Sequence, residues 1–169
     1  MKQNKLRVGL AGLAFALVFA LPLRAADLPK VQLDADDTSG RQVEELTKKA
    51  IARDYARAWR TMAAALEQNN AGLVDDDFVG VAAEKLSSGV AAQLHSGLRT
   101  RYVDHGHQLD VLFYSPEGLS IQVRDTARLE RQVLDGNTVV FSEQVTRHYI
   151  GILTPTEVRW KVRLLQEAE

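Results

Sequence analysis

The 169-residue chain contains no cysteine. That absence removes disulfides, thiolate catalysis, cysteine-based zinc sites and a bacterial lipoprotein anchor. The formal net charge is only −1, so the bulk balance lacks the basic excess of a nucleic-acid binder, and no nucleic-acid partner is expected. No P-loop, dinucleotide-binding glycine fingerprint or Ser-His-Asp constellation is present. No internal repeat or low-complexity tract breaks the chain. Long apolar runs are also missing, apart from one at the start.

That run follows a basic opening of Lys2, Lys5 and Arg7 and extends from Val8 to Leu23. At roughly 16 residues it falls short of the ~20 that span a bilayer comfortably. Pro22 and the small residues Ala25 and Ala26 close it. Basic start, apolar middle and small-residue end make the order of a secretory signal peptide, with cleavage expected after Ala25. The expectation is an exported protein, periplasmic or extracellular, with no membrane attachment after cleavage. The rival is an uncleaved N-terminal anchor. Removing residues 1–25 takes away four cations (Lys2, Lys5, Arg7, Arg24) and no anions, leaving the remainder near −5.

The whole chain has ordinary globular composition, 46% hydrophobic and 25% charged, and the part after residue 25 is long enough for one domain with its own core. Residues 26–40 carry turn-formers and no sustained period, so they are expected to be a flexible linker, with the domain at 41–169. Val43, Leu46, Ala50, Ile51, Tyr55, Ala58, Trp59, Met62 and Leu66 recur at spacings of three and four. That spacing predicts an amphipathic helix over about 41–68, ended by Asn69-Asn70. Leu73 and Phe78 are expected to anchor the connector, and Asp75 to Asp77 to cap the next helix. Leu86, Val90, Leu94, Leu98 and Tyr102 repeat every four residues and predict a second helix over about 81–103, weakened by Gly80, Gly89 and Gly97.

Beyond "DHGH" the period becomes two. Strands are predicted over 108–115, 118–133, 138–153 and 158–166, joined by turns at "SPEG", "LDGN" and "TPTE". Helices followed by an antiparallel meander make an α+β domain, two long helices packed on a curved sheet of about four strands.

The stretch "YARAWRTMAAALEQNNAGLVDDDF", with Trp59, Ala65-Leu66, Asn69 or Asn70, Leu73 and Phe78, resembles the first helices of the nuclear transport factor 2-like superfamily. The closing "RWKVRLL" strand is similar too, and the resemblance extends over about 41–166. Ketosteroid-isomerase-like and polyketide-cyclase-like (SnoaL-like) domains belong to that superfamily. The resemblance implies a cone-shaped domain whose bent sheet wraps a long helix. It also implies a pocket between helices and concave face, a small-molecule ligand, and homodimerisation through the sheet. Only "FVGVA" is placed to supply the short early strand common in the family. The fold implies no particular chemistry, since it carries enzymes, binders and non-catalytic modules.

Asp125 shares the core-facing row of its strand with Leu119, Ile121, Val123, Ala127 and Leu129. A buried carboxylate needs a partner. The hairpin decides which. A two-residue turn would bring Ser142, Gln144, Thr146 and His148 inward. A three-residue loop with a Gly136 bulge brings in Val139, Phe141, Glu143, Val145, Arg147 and Tyr149, the more apolar row and the preferred one. Asp125 is then expected beside Val145 and diagonal to Arg147, with Arg131 close to Glu143 or Phe141. The Asp125–Arg147 contact is expected as an ion pair. The sharper expectation is a ligand site of Asp125, Arg147, Tyr149, Tyr102 and Trp59. An isomerase-type mechanism would use Asp125 as base with Tyr149 or Tyr102 as acid. Asp104, His105 and His107 are too few for a firm metal site and are expected at a polar helix end with Gly106 as its stop. No cofactor or metal is expected. The functional expectation is an exported non-catalytic module binding a small molecule or a protein, with an isomerase- or cyclase-type enzyme and a membrane-tethered assembly factor as rivals.

Overall fold

The first helix follows from its apolar stripe. In the computed structural model, which describes residues 28–168, α1 runs Glu45–Gln68 and buries Ile51, Tyr55, Ala58, Trp59 and Ala65. Asn69 ends it in the left-handed region (φ 49°), and the Asn70 amide donates to the Ala65 carbonyl at 2.9 Å. A 3-10 turn, Ala71–Asp76, leads to α2, Gly80–Ser96.

The second helix is shorter than its spacing predicts. Gly97 stops it at φ 71°, and Leu98 and Tyr102 already belong to a strand. Leu94, Leu98 and Tyr102 fit a helical stripe, but positions 98, 100, 102 and 104 also alternate, and pairing across the sheet decides the case. The expected cap fails as well, because Asp77 is buried. It accepts from Thr61 Oγ1 at 2.7 Å and Arg159 Nη1 at 3.1 Å, while α2 begins without a side-chain cap.

Four long strands follow: β3 Leu98–Tyr114, β4 Ile121–Asp135, β5 Thr138–Pro155 and β6 Trp160–Ala168. They pair antiparallel in chain order. Part of the stretch expected as a linker is built into the sheet: β1, Val31–Asp34, and β2, Ser39–Gly40, both pair parallel with β3. The sheet therefore has six strands rather than about four. Phe78, in the stretch expected to supply an early strand, makes a single parallel bridge to Val162. The signal-peptide reading of residues 1–25 lies outside the described residues.

α1 packs against the concave side, where Leu109, Val111, Ile121, Val123, Ala127, Leu129 and Leu153 form the core with it. Gly151 sits opposite Val123; a Cβ there would be 3.1 Å from Val123 Cγ2 and 3.8 Å from the Tyr55 ring, so its bareness lets α1 approach. At the other end of the same row Leu119 is exposed, and so is Val158. A bulge between Ile152 and Leu153 passes the inward position on β6 from Val162 to Leu165.

Candidate functional site

Asp125 does face inward, and it is fully buried. Its register differs from expectation. The hairpin closes through a two-residue turn, Gly136-Asn137, and a bulge at Val140 then restores odd-with-odd pairing. Asp125 therefore lies opposite Tyr149, with Val145 opposite Leu129. The expected Asp125–Arg147 ion pair is not made: Arg147 Nη1 bonds Glu167 at 2.8 Å. Arg131 behaves as expected, bonding Glu143 at 2.8 Å with its guanidinium 5.7 Å from the Phe141 ring centre.

The partners of Asp125 come from α1 and β3. Tyr55 Oη donates to Asp125 Oδ2 at 2.9 Å, and His107 Nδ1 bonds the same oxygen at 2.9 Å. His107 Nε2 bonds Asp104 Oδ2 at 2.7 Å. An imidazole thus bridges two carboxylates. Residues three apart in a regular strand point to opposite faces, so Asp104 and His107 should not meet. A bulge between Asp104 and Gly106 changes that, leaving His105 unpaired and turning both side chains to the concave side. Gly106 holds the bulge at φ 118°, and its amide donates to Asp104 Oδ1 at 2.7 Å. The "DHGH" segment is thus a strand bulge rather than a helix end.

Burial by itself would lower the His107 pKa, but the hydrogen bonds and charges of Asp104 and Asp125 outweigh it and raise the pKa to about 9. At neutral pH His107 is a cation held between the two acids. Asp125 Oδ1 is buried without a hydrogen-bond partner among the described residues, so this carboxylate depends on that cation. Burial, then the Asp125 charge, pushes the Tyr55 hydroxyl well above its ordinary range; burial also raises Tyr149 and Tyr102. All three stay protonated.

Trp59 roofs this cluster. Its ring centre lies 4.5 Å from that of His107 and 5.4 Å from that of Tyr149. Beside Trp59 is a cavity of about 710 Å³ between the C-terminal half of α1, residues 102–106 of β3 and residues 28–30. Trp59, Ala63, Ala64 and Tyr102 line it, with Asp104 and Gly106 at the bulge. Of the residues expected at a ligand site, Trp59 and Tyr102 meet at this cavity. Tyr149 packs behind Trp59, and Asp125 and Arg147 are not among the lining residues. Sequence reasoning missed Tyr55 and the pairing role of His107. The one hint is a tyrosine on the apolar stripe of α1: a buried hydroxyl needs a partner, but its position does not say which. Among the described residues no group of three His, Cys, Asp or Glu side chains is arranged to hold a metal, and no helix is long and apolar enough to cross a membrane.

No protein-family model matches the chain, and no curated protein matches it in sequence. Among solved structures, the intermembrane space region of the chloroplast protein ARC6 is similar, with a TM-score of 0.62 at 12% identity over 71% of this chain and 96% of that one. Aln2 from a Streptomyces species reaches 0.47 at 13% identity over 73% and 92%, too slight a likeness to carry an argument. The first likeness concerns the fold alone. The chain is an α+β domain whose helices pack on an open, curved six-stranded sheet, consistent with the expected cone.

Proposed function

We propose that this chain is an exported, non-catalytic binding module of the nuclear transport factor 2-like kind, taking a small molecule into the cavity beside Trp59. One observation carries the reading. The fully buried carboxylate, Asp125, is bonded by His107 and Tyr55 and does not line the cavity, where Trp59, Tyr102, Ala63 and Ala64 stand among polar side chains such as Lys30, Glu67 and Asp104. A general base must reach its substrate's proton, and a carboxylate buried off the cavity does not. The cavity's volume, about 710 Å³, lies within the range of roughly 300–1,000 Å³ usual for ligand pockets. Export rests on the N-terminal sequence; a related fold working between two membranes has a precedent in the ARC6 region.

The test fills the cavity. Ala64→Trp should abolish binding of an apolar fluorescent probe and leave the thermal midpoint nearly unchanged. Equal probe binding by the filled variant would remove the proposal. N-terminal sequencing of the protein from its host checks export, since an intact Met1 would favour the tethered rival.

A second reading, an isomerase- or cyclase-type enzyme, has one observation in its favour. Asp104 lines the cavity while bonding His107, so one carboxylate of the cluster does reach the space where a substrate would lie. Under that reading Asp104→Asn abolishes turnover of a carbonyl compound and keeps its binding. Unchanged turnover in that variant would eliminate Asp104 as the base.

A further inference from the structure

We infer that the cavity takes an amphipathic anion, a carboxylate or sulfonate on an aromatic or branched apolar body, bound with its body inward and its charged head at the mouth. The inference rests on the binding reading above. The deep walls are apolar: Trp59 is almost fully buried, and Ala63 and Ala64 leave room beside it. Two acids line the cavity, and both are engaged within the protein. Glu67 bonds Arg101 at 2.7 Å. Asp104 uses Oδ2 for His107 and Oδ1 for the Gly106 amide, each at 2.7 Å. A cationic head seeking Asp104 would have to displace those bonds, leaving His107 with one counter-charge fewer.

Lys30 is placed differently, exposed on the cavity lining. The Lys30 ammonium has no ion pair or hydrogen bond among the described residues. Deeper in, two acids, Asp125 behind Trp59 and Asp104 on the lining, share the single His107 ring. The acids of the cluster therefore lie inward of the exposed Lys30 ammonium. An anionic head is repelled from the floor and drawn to the rim, and the apolar body fills the space between.

Two probes sharing one ring system test this: anilinonaphthalene sulfonate and the uncharged phenylnaphthylamine. The purified protein should bind the sulfonate more tightly, and added salt should narrow the difference. Lys30→Glu should weaken the sulfonate about fivefold, as reversing one exposed charge does, and leave the neutral probe unchanged. Equal affinities with no response to Lys30→Glu would overturn the anion preference while leaving the cavity intact. Binding of neither probe would instead overturn the cavity reading, and the inference with it.

Discussion

His107 is where a single proton matters most to this molecule. Its folded-state pKa of about 9 lies above the ordinary 6.5. The stability it contributes is therefore fully present below about pH 6.5 and lost as pH rises through about 9. The difference corresponds to a change on the order of 3 kcal/mol. Urea unfolding at several pH values should show this decline, and His107→Gln should flatten it while lowering stability throughout. An unchanged profile in the variant would mean the imidazole carries no charge here. Tyr55→Phe should cost about 1.5–3 kcal/mol in the same urea measurement, since it removes a hydrogen bond to a buried carboxylate. The inward position of Asp125 was legible from alternation alone. Its partners were not, because His107 lies 18 residues away across a bulge and Tyr55 lies 70 residues away on a helix.

At the scale of elements, the Asp104–Gly106 bulge positions the cluster. Gly106 has room for a methyl group, with the nearest atoms to a built Cβ at 3.5 and 3.7 Å, but its φ of 118° does not suit an L residue. Gly106→Ala should therefore destabilise by about 1–3 kcal/mol through backbone strain. It should also shift the His107 imidazole resonances in an NMR titration; unmoved resonances would separate the bulge from the charge cluster. Periodicity found α1 to within a few residues, since its stripe is long and its end is marked by Asn69. It overran α2 because a four-residue repeat and a two-residue repeat coincide at Leu98 and Tyr102. The odd-with-odd row of β5 was anticipated from Phe141 onward, but Val139 lies opposite Leu134, because the bulge is at Val140 rather than in the turn.

For the whole molecule, one sheet and one helix-filled hollow make a single core. Far-ultraviolet and near-ultraviolet circular dichroism should report the same thermal midpoint; separate transitions would show independently folding parts. The sheet leaves one long edge open. β6 pairs β5 only from His148 to Pro155, so among the described residues Thr138 to Arg147 lack a strand neighbour on that side. Val139, Val140 and Phe141 are exposed there, at 43%, 56% and 46%. Such an edge favours association, and Val140→Lys should slow heat-induced light scattering; an equal rate would show that another surface drives it.

By itself the sequence determined the order and kind of the two helices and the four long strands, most of the stripe that α1 buries and the side of the sheet that Asp125 faces. These follow from periods of 3.6 and 2, which local residue patterns carry. Tertiary structure alone decided that His107 rather than Arg147 meets Asp125, and that the cavity lies beside Trp59 and residues 102–106 of β3. A period says which face a side chain takes; it does not say which residue of a neighbouring strand lies opposite. One inserted residue, His105, alters that register, and packing across strands determines whether the insertion occurs.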